Sequence, residues 1–214
     1  MSKSIGEFGF GCGMAACISA LSFDAAQLLQ VLGVLRFPLD EILIYGFSLC
    51  IVVPFLLEML AFHHLAAEDK RFWTHASLVF AILYAVFVTA NYVVQLATVI
   101  PMKLKGTGGG IGFLEQTPHS LFWDFDAVGY IAMGLAALLA VPAVEGAGFG
   151  KWVRMSLMAH AMVTPLIAVV YFFPAYTQGL LFLGFPWALT APAFMGLLAV
   201  MLRKSGRGRY SAGC

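Results

Sequence analysis

Charged side chains are scarce in this sequence: Asp, Glu, Lys and Arg make up 11% of its 214 residues, against roughly 25% in ordinary soluble domains. A water-facing surface cannot be built from so few. Net charge is also absent, at +1, which removes the electrostatic footprint of a nucleic-acid partner. Cysteine is sparse. Cys12, Cys17, Cys50 and Cys214 have no metal-ligand spacing and read as small apolar fillers rather than a disulfide framework. No HExxH or HxxxH pattern is present, so no metal is expected. The Gly-rich run Gly106-Thr107-Gly108-Gly109-Gly110-Ile111-Gly112 lacks the GxxxxGK[ST] pattern of a phosphate loop. There is no serine nucleophile motif, no basic voltage-sensing segment, and no Lys inside an apolar stretch to carry a retinal Schiff base. No internal repeat is visible, which gives little support to a transporter built from inverted repeats.

What the sequence has is long apolar runs. Hydrophobic residues make up 61% of the chain and its mean hydropathy is +0.90. Six stretches, about 10–35, 41–65, 72–101, 120–143, 152–173 and 178–202, each supply the ~20 residues needed to cross ~30 Å of hydrocarbon. Pro38, Pro101, Pro118 and Pro174 fall between them, where helices are expected to stop. Lys3 and the run ending Met14-Ala15-Ala16-Cys17 faintly suggest a lipoprotein signal. That run is rich in Gly and poor in Leu, so it reads as the start of a first membrane helix. The expected fold is all-α: one integral membrane bundle over residues 1–214, in a lipid bilayer.

Orientation follows from the basic residues. Six spans put Lys3, Lys70, Arg71, Lys151, Arg154, Arg203, Lys204, Arg207 and Arg209 on one side, and Arg36, Lys103 and Lys105 on the other. The positive-inside rule then puts both termini in the cytoplasm, in a plasma or inner membrane. The basic tail 205–214 is expected to lie against anionic headgroups. Residues 102–119 form the largest connection on the opposite side, either a flexible link or a lid.

Ionisable groups inside a span are costly and are functional hypotheses by default. Counting ~1.5 Å per residue sorts them into two layers. Asp24 falls near the midplane, and the outer layer takes Gln27, Asn91, Gln95 and Asp126, with Tyr84 extending it inward and Trp123, Tyr92 and Tyr130 as aromatic walls. Asp124 points away from Asp126 and is expected to be solvated. The inner layer pairs Glu58 with His160, a combination suited to proton transfer. Ser156, His160 and Thr164 form one stripe, and Tyr171 returns to that face. His63, His64 and His75 lie near the inner interface. Either layer also has a plain reading, in which polar groups hold helices together. Pro54, Pro165 and Pro192 lie inside spans and can kink them.

The segments Asn91-Tyr92-Val93-Val94-Gln95-Leu96 and Leu121-Phe122-Trp123-Asp124-Phe125-Asp126-Ala127-Val128-Gly129-Tyr130 are similar to motifs of an uncharacterised family of small six-span bacterial and archaeal membrane proteins. The resemblance covers about residues 40–203. It implies the six-span layout, singles out Gln95, Asp126 and Tyr130, and implies no activity. Phe37-Pro38-Leu39-Asp40-Glu41-Ile42-Leu43 is similar to the Pro-x-Glu-Glu stretch of membrane lycopene cyclases. Asp replaces the first Glu here and no second copy follows, so it also reads as an ordinary helix start.

Three functions remain open on the sequence. One is a small lipophilic or amphipathic ligand bound or converted in an outer-half pocket lined by Asp126, Gln95, Asn91 and Asp24. The second is an accessory subunit held by other membrane subunits. The third is a proton-coupled carrier using Glu58 and His160. No cofactor is identified.

Overall fold

The structure, a computed structural model, describes residues 2–211. Cys214 and the end of the basic tail, residues 212–214, lie outside them. Six helical segments are long and apolar enough to cross a bilayer: Ser2–Val31, Leu39–Leu65, Glu68–Leu104, Leu121–Ala143, Phe149–Phe172 and Gly179–Gly206. Their elements are α1 (Ser2–Val31), α2 (Leu39–Leu65), α3 (Arg71–Val94), α4 (Ile100–Leu104), α5 (Leu121–Ala140), α6 (Phe149–Phe172), α7 (Gln178–Gly184) and α8 (Pro186–Ser211). The chain is therefore a multi-pass membrane bundle. An even number of crossings gives it two faces. The start of α1 and the end of α8 share the terminal face, and residues 105–120 lie on the loop face.

The helices close into a ring. Going round it, α1 packs on α2, α2 on α3, α3 on α5, α5 on α6, α6 on α8, and α8 returns to α1. Small residues set the closest contacts. Gly6, Gly9, Gly13, Ala16 and Ala20 are buried on one stripe of α1. A Cβ on Gly6 would stand 2.7 Å from the Leu202 carbonyl oxygen of α8. In lipid there is no hydrophobic force between helices, so close backbone approach of this kind is what holds them. Between α5 and α6, a Cβ on Gly134 would overlap the Thr164 side chain.

The middle of the ring is filled. Phe55 of α2 meets Tyr84 of α3 edge-on at 5.5 Å and Phe194 of α8 at 5.8 Å. His160 lies 4.7 Å from the Phe194 ring. Each of the four is 1% exposed or less. This plug separates the polar groups near the loop face from those near the terminal face.

Two expectations are corrected. The first span begins at Ser2 rather than near residue 10. Its opening turns pack on α8, and Glu7 pairs with Arg203 at 3.0 Å, so the helix gains partners outside the apolar window. Nor does Pro101 end the third span. A π-helical turn, Gln95–Val99, precedes it, and Pro101 falls in the first turn of α4, where its missing N–H is tolerated. Pro54, Pro165 and Pro192 likewise lie within continuous helices.

The glycine contacts generate a test. Gly134→Leu forces a side chain into Thr164, whereas Gly11 has open space around it. Thermal unfolding in detergent is expected to show Gly134→Leu destabilised by about 1–3 kcal/mol and Gly11→Leu close to wild type.

Candidate functional site

The site grows from one helix start. Ser120 stands at the N-cap of α5, where its hydroxyl accepts from the Trp123 N–H at 3.2 Å and donates to the Glu115 carbonyl at 2.5 Å. This is the usual work of Ser at such a position. It fixes both the end of the connecting loop and the rotation of α5. Asp126 follows five residues into that helix, ~8 Å from its start, and is 1% exposed.

Four neutral donors converge on the Asp126 carboxylate. Asn91 Nδ2 and the Tyr92 hydroxyl donate to Oδ1 at 3.1 and 2.8 Å. Gln116 Nε2 and the Tyr171 hydroxyl donate to Oδ2 at 2.8 and 2.5 Å. A carboxylate offers about four lone-pair positions, so its acceptor capacity is fully used. The donors come from α3, the loop and α6. One buried charge thus ties three separate segments to α5. Tyr92 gives its only proton to Asp126, so the 2.9 Å contact between the Tyr92 and Tyr130 hydroxyls has Tyr130 as donor. Tyr45 of α2 stacks on Tyr92 at 5.4 Å.

Gln95 extends the cluster to the loop backbone. Its amide donates to the Leu114 carbonyl at 2.7 Å and accepts from the Gln116 N–H at 3.2 Å. Together these two bonds imitate a β-bridge between a side chain and an irregular strand of chain. Gln95 opens the π-helical turn, and such turns are frequent where a helix presents a side chain for function. A second tie lies above: Lys103 Nζ stands 3.3 Å from both Glu41 and Glu115. Gly106 and Gly110, at φ +69° and +89°, make the turns that carry the loop back over the ring.

Asn91, Gln95, Asp126, Tyr92 and Tyr130 are therefore joined in one hydrogen-bonded network. Trp123 borders it without touching the carboxylate. Its Nε1 donates to the Tyr171 carbonyl at 3.2 Å and its ring lies 4.4 Å from the Tyr171 ring. Gln27 is exposed and takes no part, because it falls on the outward side of α1. Asp124 is exposed as expected. Asp24 does not join the network; both its carboxylate oxygens are buried without a hydrogen-bond partner.

Sequence reasoning missed Gln116, Tyr171 and the Lys103 bridge. Tyr171 was expected on the stripe of His160, yet its hydroxyl reaches Asp126. The available signal was depth, since Tyr171 ends the fifth span on the side where Asp126 begins the fourth. Gln116 gave no signal, because a loop residue has no periodicity to read.

Near the terminal face, Glu58 and His160 do not pair. His160 Nδ1 bonds the Thr190 hydroxyl at 3.0 Å. Glu58 is fully buried, and neither of its oxygens has a hydrogen-bond partner. It lies against the bare backbone of Gly13, where an added Cβ would collide with its carboxylate, and beside Ala199. The α1 and α8 backbones leave a notch that only a glycine permits, and the carboxyl occupies it. The third acid, Asp24, is seven residues from the end of α1, ~10 Å from the loop face.

Among the described residues, no group of three or more His, Cys, Asp or Glu side chains is placed to hold a metal ion. Two surface grooves lie away from the cluster. One of about 420 Å³ is lined by His63, Arg71, Phe72, His75 and Ala76, and one of about 330 Å³ by Ala168, Val169, Phe172, Phe173 and Pro174. Around Asp126 the polar side chains meet one another. Comparison with known proteins finds no family model, no curated protein and no solved structure that matches this chain.

The Gln95 clasp predicts a local effect. Gln95→Leu removes the acceptor of the Gln116 N–H, so hydrogen–deuterium exchange over residues 111–120 is expected to quicken while the α5 core is unchanged. Tyr171→Phe deletes one charge-assisted bond and is expected to lower stability by about 1.5–3 kcal/mol, read from thermal unfolding.

Proposed function

We propose that this protein is a proton-coupled membrane carrier in which Glu58 takes up and releases the proton. The observation that carries the reading is the Glu58 carboxyl, wholly buried among α1, α2 and α8 with both oxygens unpartnered. An ionised carboxylate in hydrocarbon without donors is strongly disfavoured, so the group is held protonated in this closed state. A lone carboxylate without further ligand groups is poorly suited to a metal cation, which takes several oxygen ligands. It suffices to bind a proton. Releasing that proton requires water or a partner at Glu58, which means a movement of α1 against α2 and α8. The Gly stripe of α1 is suited to such sliding, because it offers no side chains to interlock.

The cluster around Asp126 has the complementary character. It is saturated, and it holds residues 111–120 down on the ring. It therefore serves as the closed gate of the loop face. A ligand pocket in the outer half would have to form by opening this gate, since its polar groups are occupied by each other. The His160 side of the expected proton pair is replaced by a bond to Thr190, so Glu58 acts without it. We place the terminal face in the cytoplasm, as the distribution of Lys and Arg favours. The proposed kinship with the small six-span family implies no activity and leaves this reading untouched.

Infrared difference spectroscopy over a pH titration tests the assignment. A carboxylic C=O band that disappears as pH rises, and that is missing in Glu58→Gln, is the expected result. A band that never titrates would make Glu58 a permanently protonated packing group and end the proposal. In pH-dye-loaded proteoliposomes, Glu58→Gln is expected to abolish solute-coupled proton movement.

A further inference from the structure

A second feature, independent of Glu58, concerns how a proton reaches the ring interior from the loop face. Tyr130, Tyr92 and Asp126 form an unbroken chain of oxygen atoms, with steps of 2.9 and 2.8 Å. Each link is a hydroxyl that both donates and accepts, or a carboxylate that accepts. That is the requirement for handing protons along a row. The direction is already set: Tyr130 donates to Tyr92, and Tyr92 donates to Asp126. The Tyr130 oxygen is then left to accept. Phe23, next to Asp24 on α1, and Trp187 of α8 bring the turn that holds Asp24 toward Tyr130. The Asp24 carboxyl is buried at both oxygens and has no hydrogen-bond partner, so nothing ties it elsewhere. Trp187 lies 5.0 Å from the Tyr130 ring and 5.6 Å from Phe23. These rings form an apolar bridge from α1 through α8 to α5.

We propose that Tyr130 and Tyr92 relay protons between Asp24 in the ring interior and Asp126 beneath the loop-face gate. The relay deepens the carrier reading by supplying its loop-face proton route, and it rests on that reading for its purpose. Its chemistry is balanced. Asp24 gives its carboxylic proton to the Tyr130 oxygen, directly after a side-chain rotation or through one bridging water. Tyr130 passes its own proton to Tyr92, and Tyr92 passes its own to Oδ1 of Asp126. Three O–H bonds break and three form. No electrons are transferred, and one negative charge moves from Asp126 to Asp24. The groups facing Asp126 from its neighbours are Asn91 and Tyr92 of α3, Tyr171 of α6 and Gln116 of the loop. All are neutral, so none holds the charge in place by pairing with it. The proton arrives on Oδ1 and points back at the Tyr92 oxygen, so that bond reverses while Asn91, Gln116 and Tyr171 continue to donate.

The test follows the rate at which Asp24 responds to protons. In reconstituted full-length protein, a caged-proton flash is followed by time-resolved infrared spectroscopy at the carboxyl band that Asp24→Asn removes. Tyr92→Phe and Tyr130→Phe keep both rings and delete one hydroxyl each. Each is expected to slow the Asp24 band by about tenfold or more, with its final amplitude unchanged; Tyr130→Phe keeps the thermal stability, whereas Tyr92→Phe also loses its bond to Asp126 and is destabilised as Tyr171→Phe is. Tyr45→Phe, which keeps the stacking ring outside the row, is expected to leave the rate as in wild type. Unchanged rates in both relay variants would overturn the proposal, as would an Asp24 band that does not respond to pH at all. The Glu58 band is read in the same records. If it still titrates while the relay variants have no effect, the relay fails and the carrier reading stands. If Glu58 is silent while the relay variants slow Asp24, the reverse holds.

Discussion

A carboxylate taken from water into hydrocarbon must be given donors or be given a proton. This constraint organises the bundle, because its buried acids meet it in opposite ways. Asp126 receives four hydrogen bonds, the full capacity of the group, and every donor is neutral. Glu58 receives none. The first solution fixes helices and a loop around a charge. The second leaves a group whose state depends on whether water can reach it. Asp24, closer to the loop face, also has two unpartnered oxygens and so meets the constraint as Glu58 does.

The Asp126 solution explains the geometry of the loop face. Four donors from three segments cannot reach one carboxylate unless α3, α6 and residues 111–120 are all brought to α5. The Ser120 cap sets the rotation of α5, and the π-helical turn at Gln95 aims an amide at the loop backbone. Lys103 then adds a second tie between α2 and the loop through Glu41 and Glu115. The connection is consequently a fitted cover rather than a slack link. Beneath it the Phe55, Tyr84 and Phe194 plug closes the ring. Any transport through this fold requires both to move.

The Glu58 solution depends on glycine. Only because Gly13 lacks a side chain can the α2 carboxyl lie against the α1 backbone, with Ala199 of α8 beside it. The same stripe of small residues that lets α1 approach its neighbours creates the notch. Packing and the buried acid are thus two outcomes of one sequence pattern, although Gly-rich composition near the N-terminus reveals only the packing.

Much of the architecture was legible in the chain. Apolar runs of about 20 residues and a scarcity of charge allow only a membrane bundle, since lipid demands that backbone polar groups be satisfied within each helix. The helical period placed Asn91 and Gln95 on one face, and depth counting put Asp126 near them; both follow from a fixed rise per residue. Gln27 failed because period gives relative angle and not which neighbour a face meets. Glu58 and His160 failed as a pair for the same reason. Their depths agree, but Thr190 of α8 lies beside His160 and the α1 backbone lies beside Glu58. By itself, then, the sequence determined the span number and the depth of each polar group, because these depend on local hydropathy and helix rise alone. Only the tertiary structure decided which acid is saturated and which is left bare, because that depends on which helices share an interface, and the closing of the ring settles it.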